Sequence, residues 1–230
     1  YHPYSGGFSE AKAMDSLQSE LIPAADRKSR RLFVLLHGLA DSIDGMRRVP
    51  QALNLPWLNY LLVNAPDPYY GGFSWYDFTG DVAAGVKRSG NLLLRLLEAQ
   101  EEKGFSPQNT LLGGFSQGCL MSLEVGLRLP RPLAGIVGIS GYVCDPDKLL
   151  RELSPAGRKQ RVLITHGTLD PILPFSLVKD QVRKLKDEGG LDIQWHELEK
   201  AHTFAGEIEA KIIRDFILAS PWEDGSGKPR

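Results

Sequence analysis

Cysteine is scarce in this 230-residue chain, which has only Cys119 and Cys144. Two thiols cannot staple a disulfide-built scaffold, so the fold must rest on a packed core. Reduced, mostly buried thiols point to a cytoplasmic compartment. No run of eighteen apolar residues occurs, which argues against a membrane-spanning helix, and no secretory signal pattern opens the chain. Neither sign of charge dominates. With 27 Lys and Arg against 28 Asp and Glu, the net charge is −1, so neither nucleic acid nor stable membrane insertion is expected. The basic clusters at 27–31 and 179–186 have acids beside them and read as solvated faces. Histidines at metal-binding spacing are missing, so no metal is expected. Internal repeats and low-complexity tracts are missing too.

What remains is an ordinary globular composition, 42% hydrophobic and 24% charged, at a length that suits one large α/β domain. Short apolar runs alternate with amphipathic ones. RLFVLLHG (31–38), YLLVNAP (60–66), TLLGGFSQG (110–118), LAGIVGISG (133–141) and RVLITHG (161–167) read as buried strands. DIQWHEL (192–198) alternates and reads as a more exposed strand. Helical spacing is predicted over 82–103, 117–129, 175–188 and 205–218, with Gly104, Pro130 and Gly189-Gly190 as stops. Strands alternating with helices imply a mainly parallel central sheet with helices on both faces. Residues 1–30 are expected to be an extension or edge element, 31–219 the single domain and 220–230 a flexible tail.

Within LLGGFSQGC (111–119), Ser116 falls between Gly114 and Gly118, after a strand and before a helix. A nucleophile at the end of a parallel strand must point off the sheet. A sharp strand-to-helix corner does this at the cost of strained backbone, and only small residues fit two positions either side. The N–H of Gln117, at the helix start, is the natural first donor to an oxyanion. A serine hydroxyl also needs a base. Of five histidines, His2 lies near the terminus, His37 and His166 end strands where backbone is wanted more than ring, and His196 is mid-strand. His202, in EKAHTF, lies on the loop between the last strand and the last helix. Asp170, in HGTLDPILP, follows another strand, and the order Ser–Asp–His suits this architecture. Asp145 and Asp147 are the rival acids. In HGLAD (37–41) a glycine lets the backbone bend, so the Leu39 N–H is the second candidate oxyanion donor.

LLHGLAD, FSWYD, GGFSQG, GISGY, HGTLDPILP and AHTF together resemble the carboxylesterase and acyl-protein thioesterase family of α/β-hydrolases. The resemblance implies an α/β-hydrolase fold and a cofactor-free serine hydrolase of carboxylic esters or thioesters. It carries Ser116, Asp170 and His202 as the triad, and Leu39 and Gln117 as oxyanion donors. The chain departs from the family pattern at Ala40 and Cys119, where glycine is usual or frequent, and at Thr203.

The stretch 65–80 packs six aromatic residues among glycines and prolines. It either covers the domain edge as core or lines an acyl pocket. Phe73, Trp75, Ile172, Leu173 and Phe204 are the candidate pocket residues, Trp75 foremost. No arginine stands ready to clamp a carboxylate, so a small-molecule ester with a small to medium uncharged apolar acyl group is the expected substrate. Activity should fall on the acid side, because neutral imidazole is the base. A lysophospholipase or protein acyl-thioesterase using the same triad, and an inactive hydrolase-fold binding protein, are the alternatives. A homodimer is left open.

Overall fold

A computed structural model describes residues 16–223. In chain order the elements are β1 (Ser19–Ile22), β2 (Leu32–Leu36), α1 (Ile43–Met46), α2 (Arg48–Leu53), β3 (Asn59–Val63), β4 (Asp67–Tyr69), β5 (Gly72–Ser74), α3 (Val82–Glu102), β6 (Thr110–Phe115) and α4 (Gln117–Gly126). They continue with β7 (Gly135–Ile139), α5 (Pro146–Glu152), β8 (Arg161–Gly167), α6 (Phe175–Asp187), β9 (Asp192–Leu198) and α7 (Gly206–Leu218).

Seven strands form one sheet in the order β1-β3-β2-β6-β7-β8-β9. β1 runs antiparallel to β3, and every other neighbouring pair is parallel. The apolar runs form strands because both faces of a parallel sheet are covered, which favours continuous hydrophobicity over alternation. β2 shows this directly. Leu32, Val34 and Leu36 face one hydrophobic cluster with α3, α4, α5 and α6, while Phe33 and Leu35 face a second with α1, α2 and α7.

β1 pairs with β3 from Ser19↔Val63 to Ile22↔Tyr60, so within the stretch read as an extension or edge element, residues 19–22 form an edge strand of the sheet. The sequence expectation and the structure differ at the carboxyl end of the domain. There Ser220 is buried, its hydroxyl bonded to Arg161. Trp222 stacks edge-on against Trp57 at 5.9 Å, with the Arg31 guanidinium over both rings. The start of the expected flexible tail is therefore docked, and its residues beyond 223 lie outside the described part, as does His2.

Helix ends follow local chemistry. The Asp81 side chain accepts from Ala84 N–H to open α3, and Gly104 at φ 94° closes it. Asp145 caps α5 by accepting from Lys148 N–H. Asp147, on α5, pairs with Lys184 of α6. Both rival acids are thus engaged in holding helices.

Candidate active site

β6 ends at Phe115 and α4 begins at Gln117, so a single residue makes the corner between them. That residue, Ser116, has φ 55° and ψ −113°, a combination that non-glycine residues adopt only when the surroundings enforce it. The enforcement is visible. The Ser116 N–H donates to Ile139 O at 2.9 Å. A Cβ on Gly114 would stand 2.5 Å from Leu36 O and 2.6 Å from Gly118 C, and one on Gly118 only 2.2 Å from Leu36 O. Both glycines let α4 start directly against the end of β2.

Three side chains meet beyond this corner. The Ser116 hydroxyl lies 2.9 Å from His202 Nε2, and His202 Nδ1 lies 2.7 Å from Asp170 Oδ2. They come from the carboxyl ends of β6, β9 and β8, where sheet topology gathers loop residues at one rim. The Asp170 carboxyl is buried, and its other oxygen accepts the N–H groups of Ile172 at 2.9 Å and Leu173 at 2.8 Å. Burial pushes its pKa up. The Leu173 N–H, the His202 ring and the Ile172 N–H outweigh that and hold it below the ordinary carboxylate value. An ionised Asp170 keeps a proton on Nδ1 of His202 and leaves Nε2 free to take the serine proton. The Phe115 ring stands 4.9 Å from the His202 ring, beside the base.

The loop after β2 passes against the corner. A Cβ on Gly38 would sit 2.9 Å from the Phe115 ring and 3.3 Å from the Ser116 Cβ. The backbone N–H groups of Leu39, next in that loop, and of Gln117 at the helix start take no acceptor among the described residues. Ala40, at the position of a customary glycine, adopts φ 62° and donates its N–H to Phe73 O at 3.0 Å.

Three residues singled out in the sequence make cross-loop bonds that the sequence did not show. The His37 ring is wholly buried, and its Nε2 accepts Ala65 N–H at 2.9 Å while Nδ1 donates to Gly38 O at 2.6 Å. The ring therefore ties the loop after β2 to the loop after β3. Burial lowers its pKa and keeps it neutral, as this pair of bonds requires. The Gln117 side chain clamps the aromatic stretch. Its Oε1 accepts Trp75 N–H at 2.9 Å and its Nε2 donates to Tyr76 O at 3.0 Å. His166 is also buried and its pKa lowered by burial, with Nε2 donating to Leu173 O at 3.0 Å. Single-residue spacing carries no signal for such cross-loop bonds.

The candidate pocket residues divide. Ile172 is 65% exposed and flanks the acid, Leu173 and Phe204 are partly buried beside the acid and the base, and Phe73 is partly buried against the core. Trp75 is a correction. It has no exposed surface, and its Nε1–H donates to His37 O at 2.9 Å. It is core behind the site and offers no surface to a ligand, because its backbone and indole are both held to residues flanking the corner. Cys119 occupies space left by two glycines: a Cβ on Gly138 would lie 2.6 Å from its Sγ, and one on Gly141 2.2 Å from its Cβ.

The phospholipase/carboxylesterase family matches residues 17–220. Acyl-protein thioesterase 1 of Schizosaccharomyces pombe is 33% identical over 157 residues, covering 63% of this chain and 70% of that protein. Acyl-protein thioesterase 1 of Yarrowia lipolytica is 30% identical over 205 residues, covering 80% and 89%. Among solved structures, esterase PE8 superposes with a TM-score of 0.79 at 30% identity, covering 88% of this chain and 98% of that one. Acyl-protein thioesterase 2 of Zea mays shares the fold with a TM-score of 0.70 at 20% identity, covering 87% and 99%. With its matched span running from β1 to the end of α7, the chain belongs to the phospholipase/carboxylesterase family of α/β-hydrolases and is an ester or thioester hydrolase.

Proposed function

We propose that the reaction is carried by Ser116 as nucleophile, His202 as general base and acid, and Asp170 as the group that orients His202. The continuous hydrogen-bonded line from Ser116 Oγ through the imidazole to Asp170 Oδ2 carries this reading. His202 Nε2 takes the hydroxyl proton as Oγ attacks the acyl carbonyl. The N–H groups of Leu39 and Gln117 receive the developing oxyanion, each worth about 3–4 kcal/mol of barrier. The protonated ring then gives its proton to the departing alcohol or thiol. Water, deprotonated by the same nitrogen, releases the acid and restores Ser116.

Apolar side chains stand on the loops that carry this line. Leu169 and Ile172 are exposed beside Asp170, and Phe115, Leu173 and Phe204 are half-buried nearby. That lining favours an uncharged, apolar acyl group of small to medium size on an ester or thioester. The relatives' names support both leaving groups. All three proposed residues come from one chain, so the relay needs no second copy. A cytoplasmic setting is supported by two unpaired thiols. Cell fractionation should find the protein with cytosolic markers.

Labelling by a fluorophosphonate probe, together with turnover of p-nitrophenyl butyrate, tests the assignment. Both should vanish in Ser116→Ala. Wild-type turnover in that variant refutes the reading. Rates along a chain-length ladder of p-nitrophenyl esters and matched thioesters should peak at short to medium acyl chains.

A further inference from the structure

The turn that carries His202 is held at both ends by one carboxylate that the proton relay does not use. Glu209, in the first half of α7, has no exposed surface. Its Oε1 accepts from the Lys200 ammonium at 2.5 Å and from the Thr165 hydroxyl at 2.5 Å. Its Oε2 accepts the Ala205 N–H at 2.6 Å. Lys200 and Ala205 bracket the stretch 201–204, with His202 inside it. Thr165 lies on β8, the strand that leads into the Asp170 loop.

Lys200 extends the connection to the acid. Its side chain is buried with the carboxylate, and its backbone carbonyl accepts the Leu169 N–H at 3.2 Å. Two residues earlier, Leu198 O accepts the Thr168 N–H at 2.8 Å. Gly167 is glycine because the same turn presses on it, a Cβ there standing 2.2 Å from Lys200 O. Base turn and acid loop are thus joined, with Glu209 at the junction.

A buried ion pair is a poor way to gain stability alone, since desolvation consumes most of the attraction and an apolar pair of equal volume serves as well. What this pair and its two added hydrogen bonds supply is direction. They fix both ends of a short turn against β8 and α7, and with them the placement of an imidazole that must meet Ser116 and Asp170 together. We propose that Glu209 is a positioning residue of the hydrolytic reaction, holding the His202 turn through Lys200, Ala205 and Thr165. The proposal rests on the reading of His202 as the base.

Glu209→Gln keeps the volume and an oxygen for Ala205 N–H but leaves the Lys200 ammonium without its counter-charge. In the full-length protein, kcat on p-nitrophenyl butyrate should fall about ten- to a hundredfold, as a small misplacement of a reacting group entails. KM should stay within about twofold, since acyl binding is untouched. The rate of fluorophosphonate labelling of Ser116 should fall with kcat. The low-field proton resonance of the His202–Asp170 hydrogen bond should shift or broaden. Thr165→Val removes one hydrogen bond and no charge, and should give a smaller fall in kcat with KM again unchanged. Should Glu209→Gln fail to fold, the double variant Lys200→Met, Glu209→Gln removes the stranded charge and takes its place beside Thr165→Val. Folded variants with parental kcat and an unmoved resonance, whatever their melting temperatures, overturn the proposal. His202→Ala separates the two levels. If it still turns over substrate, the base reading itself fails. If it is inactive while the Glu209 variants match the parent, only the positioning role fails.

Discussion

At the residue scale, the site depends on which atoms face which. Asp170 offers one oxygen to His202 and the other to two backbone N–H groups. In Asp170→Asn the carbonyl oxygen can keep the loop bonds while the amide turns a donor toward His202 Nδ1, which forces the ring into the wrong tautomer. Loss of kcat by about 10³–10⁴ is expected, with the loop intact and the denaturant midpoint moved little; steady-state kinetics and urea melts together check both halves. Gly118 makes the opposite kind of demand. A methyl group there would stand 2.2 Å from Leu36 O, and backbone cannot yield as a side chain can. Gly118→Ala should cost about 3 kcal/mol or more in urea unfolding. At this scale the sequence was informative where chemistry has a local signature. Glycines flanking a serine, and an acid and a histidine on strand-ending loops, stand out because few other residues can occupy such corners. The His37 ring, bonded to Ala65 N–H across the sheet, leaves no comparable trace.

At the scale of elements, the stretch 74–76 is fastened by side chains. Gln117 bonds Trp75 N–H and Tyr76 O, the Trp75 indole bonds His37 O, and the Ser89 hydroxyl of α3 donates to Trp75 O. Gln117→Ala leaves the backbone donor in place but strips two buried partners. It should cost roughly 2–4 kcal/mol of stability and lower kcat far less than Ser116→Ala. Trp75→Phe should likewise lower the melting temperature while leaving the order of preference along an acyl-chain ladder unchanged, since the ring meets no ligand. The long elements were legible because burial on both faces writes continuous apolar runs into strands, and a stripe at 3.6-residue spacing into α3 and α6. The β4–β5 hairpin and helices α1, α2 and α5 were not foreseen. They span three to seven residues each, too few to establish a period, and contacts with neighbours decide them. β1 was readable only as an edge element because it alternates exposed with half-buried residues.

For the whole molecule, acid is the expected weakness. Burial lowers the pKa of both His37 and His166, so both stay neutral in the folded chain at pH values where the unfolded chain binds protons. Their contribution to stability is complete above the unfolded histidine value near 6.5 and is lost as pH falls toward the folded values. Each ring can add a slope of up to about 1.4 kcal/mol per pH unit in that window. Asp170, held below its ordinary value, acts in the same sense at lower pH. Melting temperatures should be flat from pH 8 to 7 and decline from about 6.5 downward, and His37→Gln should show a shallower decline. A profile flat to pH 5 contradicts this account.

The sulfur wedged where Gly138 and Gly141 leave room has a practical corollary. Cys119 is entirely enclosed and its thiol is pushed up to about 12 by burial, so alkylating reagents find neither access nor thiolate while the sheet is closed. Cys144 is only partly covered. Brief iodoacetamide pulses, with the modified peptides read by mass spectrometry, should mark Cys144 in native protein and Cys119 only in molecules that have opened globally, giving the enzyme an internal clock for its own unfolding.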